Sequence, residues 1–217
     1  ECRRWDLRLR LGGPVRLALQ AALRGSAGEV LRALLPGEAP LVELGALVAV
    51  IGAPAQPLHS DTPFQQQRLL TLFLPLQALP CSSQGPTVML PQTHCAAAHA
   101  ALKQLKRRQA LQAGITTLAT EDVRDAESRE LNRRAHDMWG ERVCTAQVGE
   151  AFLMDSRLLH YGGAKSEGPE RVVLYATFAT PHCCPYGSTY TLRYYLWWYT
   201  HMASSTKQEM TLSHILS

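Results

Sequence analysis

The sequence predicts a single mainly β domain, a β-sandwich or jelly roll with helices packed outside. Two observations carry this. Apolar stretches of strand length at 41–51, 68–79 and 86–94 are followed, after a polar and helix-forming block, by three more at 142–148, 150–161 and 171–180. The 217 residues suffice for one domain with a proper core and are too few for two comfortable ones, so the domain runs over 1–217.

The elements follow in order. Residues 5–11, WDLRLRL, alternate apolar and polar at strand period, and Gly12, Gly13 and Pro14 break the pattern. Residues 15–25 read as a short amphipathic helix closed by Gly25, and 28–37 as a second, ended by Pro36-Gly37. Residues 41–51 are almost continuously apolar and read as a buried strand, as do 68–79; a third strand at 86–94 is entered through Gly85. Residues 96–114 are rich in strong helix formers. The polar run 120–134 reads as loop or exposed helix, and the whole of about 96–142 as an insertion between strand blocks. The aromatic tail 190–202 is expected to pack on the outside of the core.

Composition excludes several classes. Hydrophobic content of 46% and charged content of 18% fit a globular chain and not a disordered one. No apolar run reaches membrane-spanning length; the best, 41–53, is short and carries Glu43. No signal-peptide pattern stands at the start, which favours an intracellular setting. Six scattered cysteines without a CxxC pair argue for free thiols. The net charge of +4 gathers at Arg3, Arg4, Arg8, Arg10 and Arg16 and in KQLKRRQ at 103–109. Solvated faces explain these patches, and no nucleic-acid partner is expected.

The segment QPLHSDTPF, 56–64, places His59 and Asp61 two residues apart. Successive strand side chains alternate faces, so this spacing aims an imidazole and a carboxylate at one point from the end of a strand region over 41–57. Two ligands make a weak site. A third is available in His160, which ends an apolar strand before Gly162-Gly163, where the backbone can turn tightly. Two histidines and one carboxylate on one side of a metal leave three positions open, the arrangement of non-heme Fe(II) oxygenases. If 2-oxoglutarate fills two of them, its far carboxylate needs a cation about one strand-length away. Arg171 opens the next strand, and a guanidinium grips a carboxylate by two parallel hydrogen bonds.

The HSD triplet, GPTVMLPQTH at 85–94, and LLHYGG followed by Arg171 together resemble the phytanoyl-CoA dioxygenase family of Fe(II)/2-oxoglutarate oxygenases. The resemblance covers about 41–179, and the eleven-residue step from His160 to Arg171 is part of it. It implies a double-stranded β-helix, a cupin-like jelly roll with flanking helices. It further implies His59, Asp61 and His160 as iron ligands, Arg171 as the clamp for the C5 carboxylate of 2-oxoglutarate, and Gln56 and Thr87 as further cosubstrate contacts. The cofactors would be Fe(II), 2-oxoglutarate and O2. The reaction would be oxidation of a small organic substrate at a C–H bond, with succinate and CO2 released. Leu58, Leu72, Leu74, Leu158 and Leu159 would shield the centre. The sequence departs from the family at Gln92, where glycine is usual, and in the short segment before the first strand.

Other readings stand beside this one. Zinc takes the same ligand types but leaves Arg171 without a role. A jelly roll can also persist as a binding or scaffold module without catalysis. His94, His99, His136, His182, His201 and His214 lack companions at ligand spacing and read as structural. Trp197 and Trp198 read as packing residues, and Ser156 has no nucleophile-elbow context.

Overall fold

The computed structural model describes residues 3–64, 68–112, 121–180 and 211–216. Within them lie eight strands and five helices: β1 (Arg4–Arg8), α1 (Gly13–Arg24), α2 (Ser26–Leu34), β2 (Leu41–Ala49), β3 (Leu69–Pro75), β4 (Thr87–Met89), α3 (Ala96–Gln112), α4 (Glu121–Trp139), β5 (Arg142–Val143), β6 (Phe152–Asp155), β7 (His160–Gly162), β8 (Arg171–Ala179) and α5 (Leu212–Leu216). The aromatic tail at 190–202, with Trp197, Trp198 and His201, and also His182, lies outside the described residues.

The strands form two antiparallel sheets. A five-stranded sheet has the order β1-β2-β8-β3-β6, and a three-stranded sheet the order β5-β4-β7. In the larger sheet β8 is central, and its alternation decides what lies on each side. Leu174, Ala176 and Phe178 join Leu44, Leu70 and Leu72 on the outer face and pack on Leu19 and Leu23 of α1, Leu31 of α2 and Ile215 of α5. Arg171, Val173, Tyr175 and Thr177 point the other way, toward the smaller sheet. Between the sheets Phe73, Val173 and Tyr175 meet Met154, with Met89 from the smaller sheet packed alongside.

The sequence period places the strands but not all their ends. β2 stops at Ala49, and the chain then turns through Gly52 at φ 85°, so His59 and Asp61 do not end that strand. They lie on an irregular extended segment that pairs with β7. The stretch 150–161 is broken at Ser156, where the chain leaves the larger sheet as β6 and enters the smaller one as β7. His160 therefore begins a strand rather than ending one.

The polar run from Glu121 to Arg134 belongs to a nineteen-residue helix. Arg129, Arg133 and Asp137 face water, and Leu131 and Ala135, four apart, are buried against the outer face of the smaller sheet with Leu58, Val88, Leu90 and Leu159. α3 contributes Ala98 and Leu102 to the same cluster. The basic run Lys103, Lys106, Arg107 and Arg108 on α3 is exposed, a solvated face. So α3 and α4 are not an external loop but the cover of the sheet that carries the histidines. Helix α4 thus predicts its own cost. Leu131→Ala, at a site 4% exposed, should lower unfolding stability by about 2–5 kcal/mol. Val148→Ala, at a site 69% exposed, should stay within about 0.5 kcal/mol of wild type. Urea denaturation of both variants checks this, and equal midpoints would show that α4 does not belong to the core.

Candidate metal centre

The backbone brings the two histidines together. His59 N donates to His160 O at 3.0 Å and His160 N donates to His59 O at 2.8 Å, a mutual antiparallel pair. Side chains of such a pair leave the same face of the sheet. The two imidazole centroids lie 4.5 Å apart. Gln56 N donates to Gly162 O at 2.9 Å, and Asp61 N and Thr62 N both donate to Ser156 O at 3.0 and 3.1 Å. The segment 56–62 thus runs alongside β7 as an irregular fourth strand of the smaller sheet.

Each ring is set by its other nitrogen. His59 Nδ1 donates to Pro57 O at 2.8 Å, and His160 Nδ1 donates to Leu158 O at 2.9 Å. Both Nε2 atoms then face Asp61, at 3.8 Å from His59 and 3.5 Å from His160 to the same carboxylate oxygen. The three candidate ligand atoms lie within 4.8 Å of one another. Burial works against the Asp61 carboxylate, yet its hydrogen bond and charge partner His160, helped by His59, hold it below the usual carboxyl range. Burial also opposes charge on His160, and the Asp61 carboxylate outweighs that and raises it. His59 is lowered, first by burial and then by His160 beside it. The donor set of two oriented imidazole nitrogens and one carboxylate fits a divalent metal.

The centre opens on a cavity of about 590 Å³ between the sheets. Arg171 lines it, 4% exposed, at the start of β8. One terminal nitrogen donates to Gly85 O, while its Nε is buried with no partner among the described residues. Burial, and then the neighbouring Arg4, push the guanidinium down to about 10. Thr87 lines the same cavity and lies opposite Gly162 on β7. Gln56 also lines it, but its side-chain oxygen accepts from Gly162 N at 2.9 Å. Gly162 is not a turn residue. It lies within β7, and a Cβ there would stand 2.6 Å from Gln56 Oε1 and 2.9 Å from an Arg4 nitrogen, so a larger residue would displace both side-chain ends.

Of the five leucines expected to shield the centre, Leu72 and Leu74 belong to the helix-covered outer face and Leu58 and Leu159 to the α3–α4 cluster. Only Leu158 packs between the sheets. The apolar cavity wall is Leu47, Val48, Leu69 and Phe73 instead. The reason is parity: Leu72 and Leu74 alternate with Phe73, and Leu159 with His160, so they face away.

Several residues were not singled out from the sequence. Asn132 of α4 accepts from Leu58 N at 3.1 Å and donates to Gln56 O at 3.0 Å, satisfying backbone groups that the irregular pairing with β7 leaves over. Thr93 accepts from Leu159 N at 3.0 Å and donates to Leu90 O at 2.6 Å, tying the turn after β4 to the residue before His160. Gln92 in that turn holds φ 62°, the left-handed region, which is why glycine suits the position better. Opposite the histidines, Glu43 accepts from Thr177 at 3.0 Å, Thr177 bonds Thr71 at 2.9 Å, and Thr71 bonds Ser156 at 3.3 Å. Tyr175 donates to Asp6 at 2.8 Å and reaches it across Gly45, where a Cβ would meet the ring at 2.6 Å. A lone Glu in an apolar strand was the available signal for Glu43; nothing local marks Asn132.

No protein-family model and no curated protein matches the chain. Solved structures do. HygX from Streptomyces hygroscopicus, with nickel and 2-oxoglutarate bound, superimposes with TM-score 0.56 at 12% identity over 83% of this chain and 71% of its own. The non-heme α-ketoglutarate-dependent epimerase SnoN from nogalamycin biosynthesis gives 0.53 at 14% identity over 84% of this chain and 63% of its own. EctD from S. alaskensis with bound Fe gives 0.51 at 15% over 85% of this chain and 59% of its own. The likeness is one of fold, and the chain spans less than two thirds of the length of SnoN and EctD.

Burial raises the Glu43 carboxyl to about 7, with Asp61 and Asp6 adding to the shift and the Thr177 hydroxyl opposing it. A raised carboxyl binds more protons folded than unfolded, so its stability contribution falls as pH rises from about 4.5 to about 7 and stays low above that. In metal-free protein Glu43→Gln should remove a fall on the order of 1–3 kcal/mol across that window. Urea midpoints of wild type and variant at successive pH values measure the difference; parallel profiles would contradict it.

Proposed function

We propose that the chain is an Fe(II)- and 2-oxoglutarate-dependent oxygenase acting on a small molecule. The fold likeness to HygX, SnoN and EctD supports the general kind. We read the two sheets as a double-stranded β-helix, and 1–217 as one domain carrying the insertion at about 96–142. The phytanoyl-CoA dioxygenase type is the resemblance that the motifs carry. The observation that weighs most is one cavity holding both halves of the chemistry. His59, Asp61 and His160 converge on its wall, and Arg171 is buried in the same cavity with an unpartnered nitrogen among the described residues. A zinc hydrolase would need the first and leave the second unexplained.

In this reading His59, Asp61 and His160 hold the metal through Nε2, a carboxylate oxygen and Nε2. The Pro57 and Leu158 carbonyls keep both rings in the tautomer that presents Nε2. Arg171 binds the distal carboxylate of 2-oxoglutarate, with Thr87 beside it. Gln56 takes part by holding Gly162 N and not through a free carboxamide oxygen. Bound iron with 2-oxoglutarate and O2 would supply the oxidation of a substrate C–H, with succinate and CO2 as coproducts. The apolar wall of Leu47, Val48, Leu69 and Phe73 keeps water from the reacting space.

Metal binding tests the centre. Protein stripped of metal should take up one equivalent of Mn(II), and His59→Ala, Asp61→Ala and His160→Ala should each weaken it by roughly 10-fold or more. Unchanged affinity in all three variants sinks the ligand set. Arg171 should act separately from the metal. Arg171→Ala should keep Mn(II) and lose 2-oxoglutarate affinity by roughly 10- to 150-fold, the loss of one charge-assisted pair, with Arg171→Lys recovering part. Equal 2-oxoglutarate affinity in wild type and Arg171→Ala, by calorimetric titration, would show the clamp to be elsewhere.

A further inference from the structure

Arg4 and Arg171 stand in one row of the larger sheet. Arg4 on β1 pairs with Ala49 of β2, and Arg171 on β8 pairs with the same Ala49 from its other side. Residues level with one another across antiparallel strands leave the sheet on the same face. Both long side chains therefore lean into the cavity over a single methyl group, and both line it. Their heads hold adjoining backbone. Arg4 donates to the carbonyls of Pro54, Gly162 and Gly163, and Arg171 donates to the carbonyl of Gly85. Gly85 and Gly163 are in contact, since a Cβ on Gly85 would lie 2.9 Å from Gly163 O. Two guanidiniums side by side, partly withdrawn from water, make a favourable place for an anion between them. Arg171 carries a fully buried Nε with no partner among the described residues to receive one.

Resting on the reading of Arg171 as the cosubstrate clamp, we infer that Arg4 is a second carboxylate-binding residue: the distal carboxylate of a 2-oxo diacid lies between Arg4 of the edge strand and Arg171 of the central strand. Arg4 supplies the second cation from the strand that also closes the cavity rim with Trp5 and Asp6. Its grip on Gly162 and Gly163 places that cation just beyond His160, so cosubstrate binding and the metal-bearing strand are held by one side chain. The arginines near the start of the chain are thus not all a solvated face.

The experiment compares two keto acids on the Mn(II)-loaded protein by calorimetric titration. 2-Oxoglutarate carries the distal carboxylate, and pyruvate lacks it. Arg4→Gln keeps hydrogen-bond donors for the Pro54 and Gly163 carbonyls but removes the charge; Arg4→Lys keeps the charge. Arg4→Gln should weaken 2-oxoglutarate by at least tenfold and leave pyruvate and Mn(II) within about twofold, with Arg4→Lys in between. Unchanged 2-oxoglutarate affinity in Arg4→Gln overturns the inference. Parallel loss of both keto acids also overturns it, because Arg4 would then act only by holding the Gly162-Gly163 backbone. Should wild type with Mn(II) bind neither keto acid, the cosubstrate reading itself fails and takes this one with it. Binding of 2-oxoglutarate that Arg171→Ala abolishes and Arg4→Gln spares would leave that reading standing and remove only Arg4.

Discussion

The mutual hydrogen bonds between His59 and His160 are the constraint on which the site depends. They join two segments about a hundred residues apart and fix both imidazoles on the inner face at once. Neither histidine has an independent route to the cavity. His59 sits on a segment with no regular strand of its own, and β7 is only three residues long. β7 is held on its other side by β4, with Met89 opposite His160, and His59 is held to the sheet by its pairing with His160. The supports around the pair follow from this. Asn132 satisfies backbone groups the short pairing leaves open, Thr93 fixes Leu159 just before His160, and Ser156 O fixes Asp61 and Thr62. A metal centre needs its ligands placed to a fraction of an ångström, and three separate elements supply that here.

Charge is distributed along the cavity with opposite signs on the two sides of the metal centre. Arg4 and Arg171 occupy one end of the β8 row, and Glu43 with Thr177 the other. The acidic end is buffered by hydroxyls. Ser156, Thr71 and Thr177 pass a line of hydrogen bonds to Glu43, and that line starts from the same residue whose carbonyl holds Asp61. Burial raises the Glu43 carboxyl to about 7, which weakens the acidity of the polar wall opposite the histidines. Tyr175 completes that wall only because Gly45 leaves room for its ring.

What the sequence disclosed was what period and spacing encode. Arg171 at the start of an apolar strand, the two-residue step His59–Asp61 and the distant His160 were legible as residue types in the right order. What it hid was register and parity between remote segments. The strand 41–51 was read too long because Val50 and Ile51 are as apolar as the residues before them, and only the turn at Gly52 ends it. The segment 150–161 hid a change of sheet because a buried strand and a buried crossing have the same composition. Helix α4 reads as solvent-exposed sequence because, among its described side chains, only Leu131, Asn132 and Ala135 are buried. Arg4 was indistinguishable from Arg8 and Arg10 until β1 was seen to pair with β2 at Ala49.

Helix α4 changes how the insertion bears on function. A loop hung outside the sheets would vary without touching the chemistry. Here the helix carries Leu131 and Ala135 into the core under β4 and β7, and Asn132 reaches the backbone of Gln56 and Leu58, immediately before His59. Any change that tilts α4 moves the chain that bears two of the three candidate ligands. The exposed side of the same helix is free of that duty: Arg133 and Arg134 pair with Glu130 along the surface, and such contacts contribute little to stability. Variation on the outer side of α4 is therefore cheap, whereas variation on its inner side reaches the candidate metal centre through Asn132 and the backbone before His59.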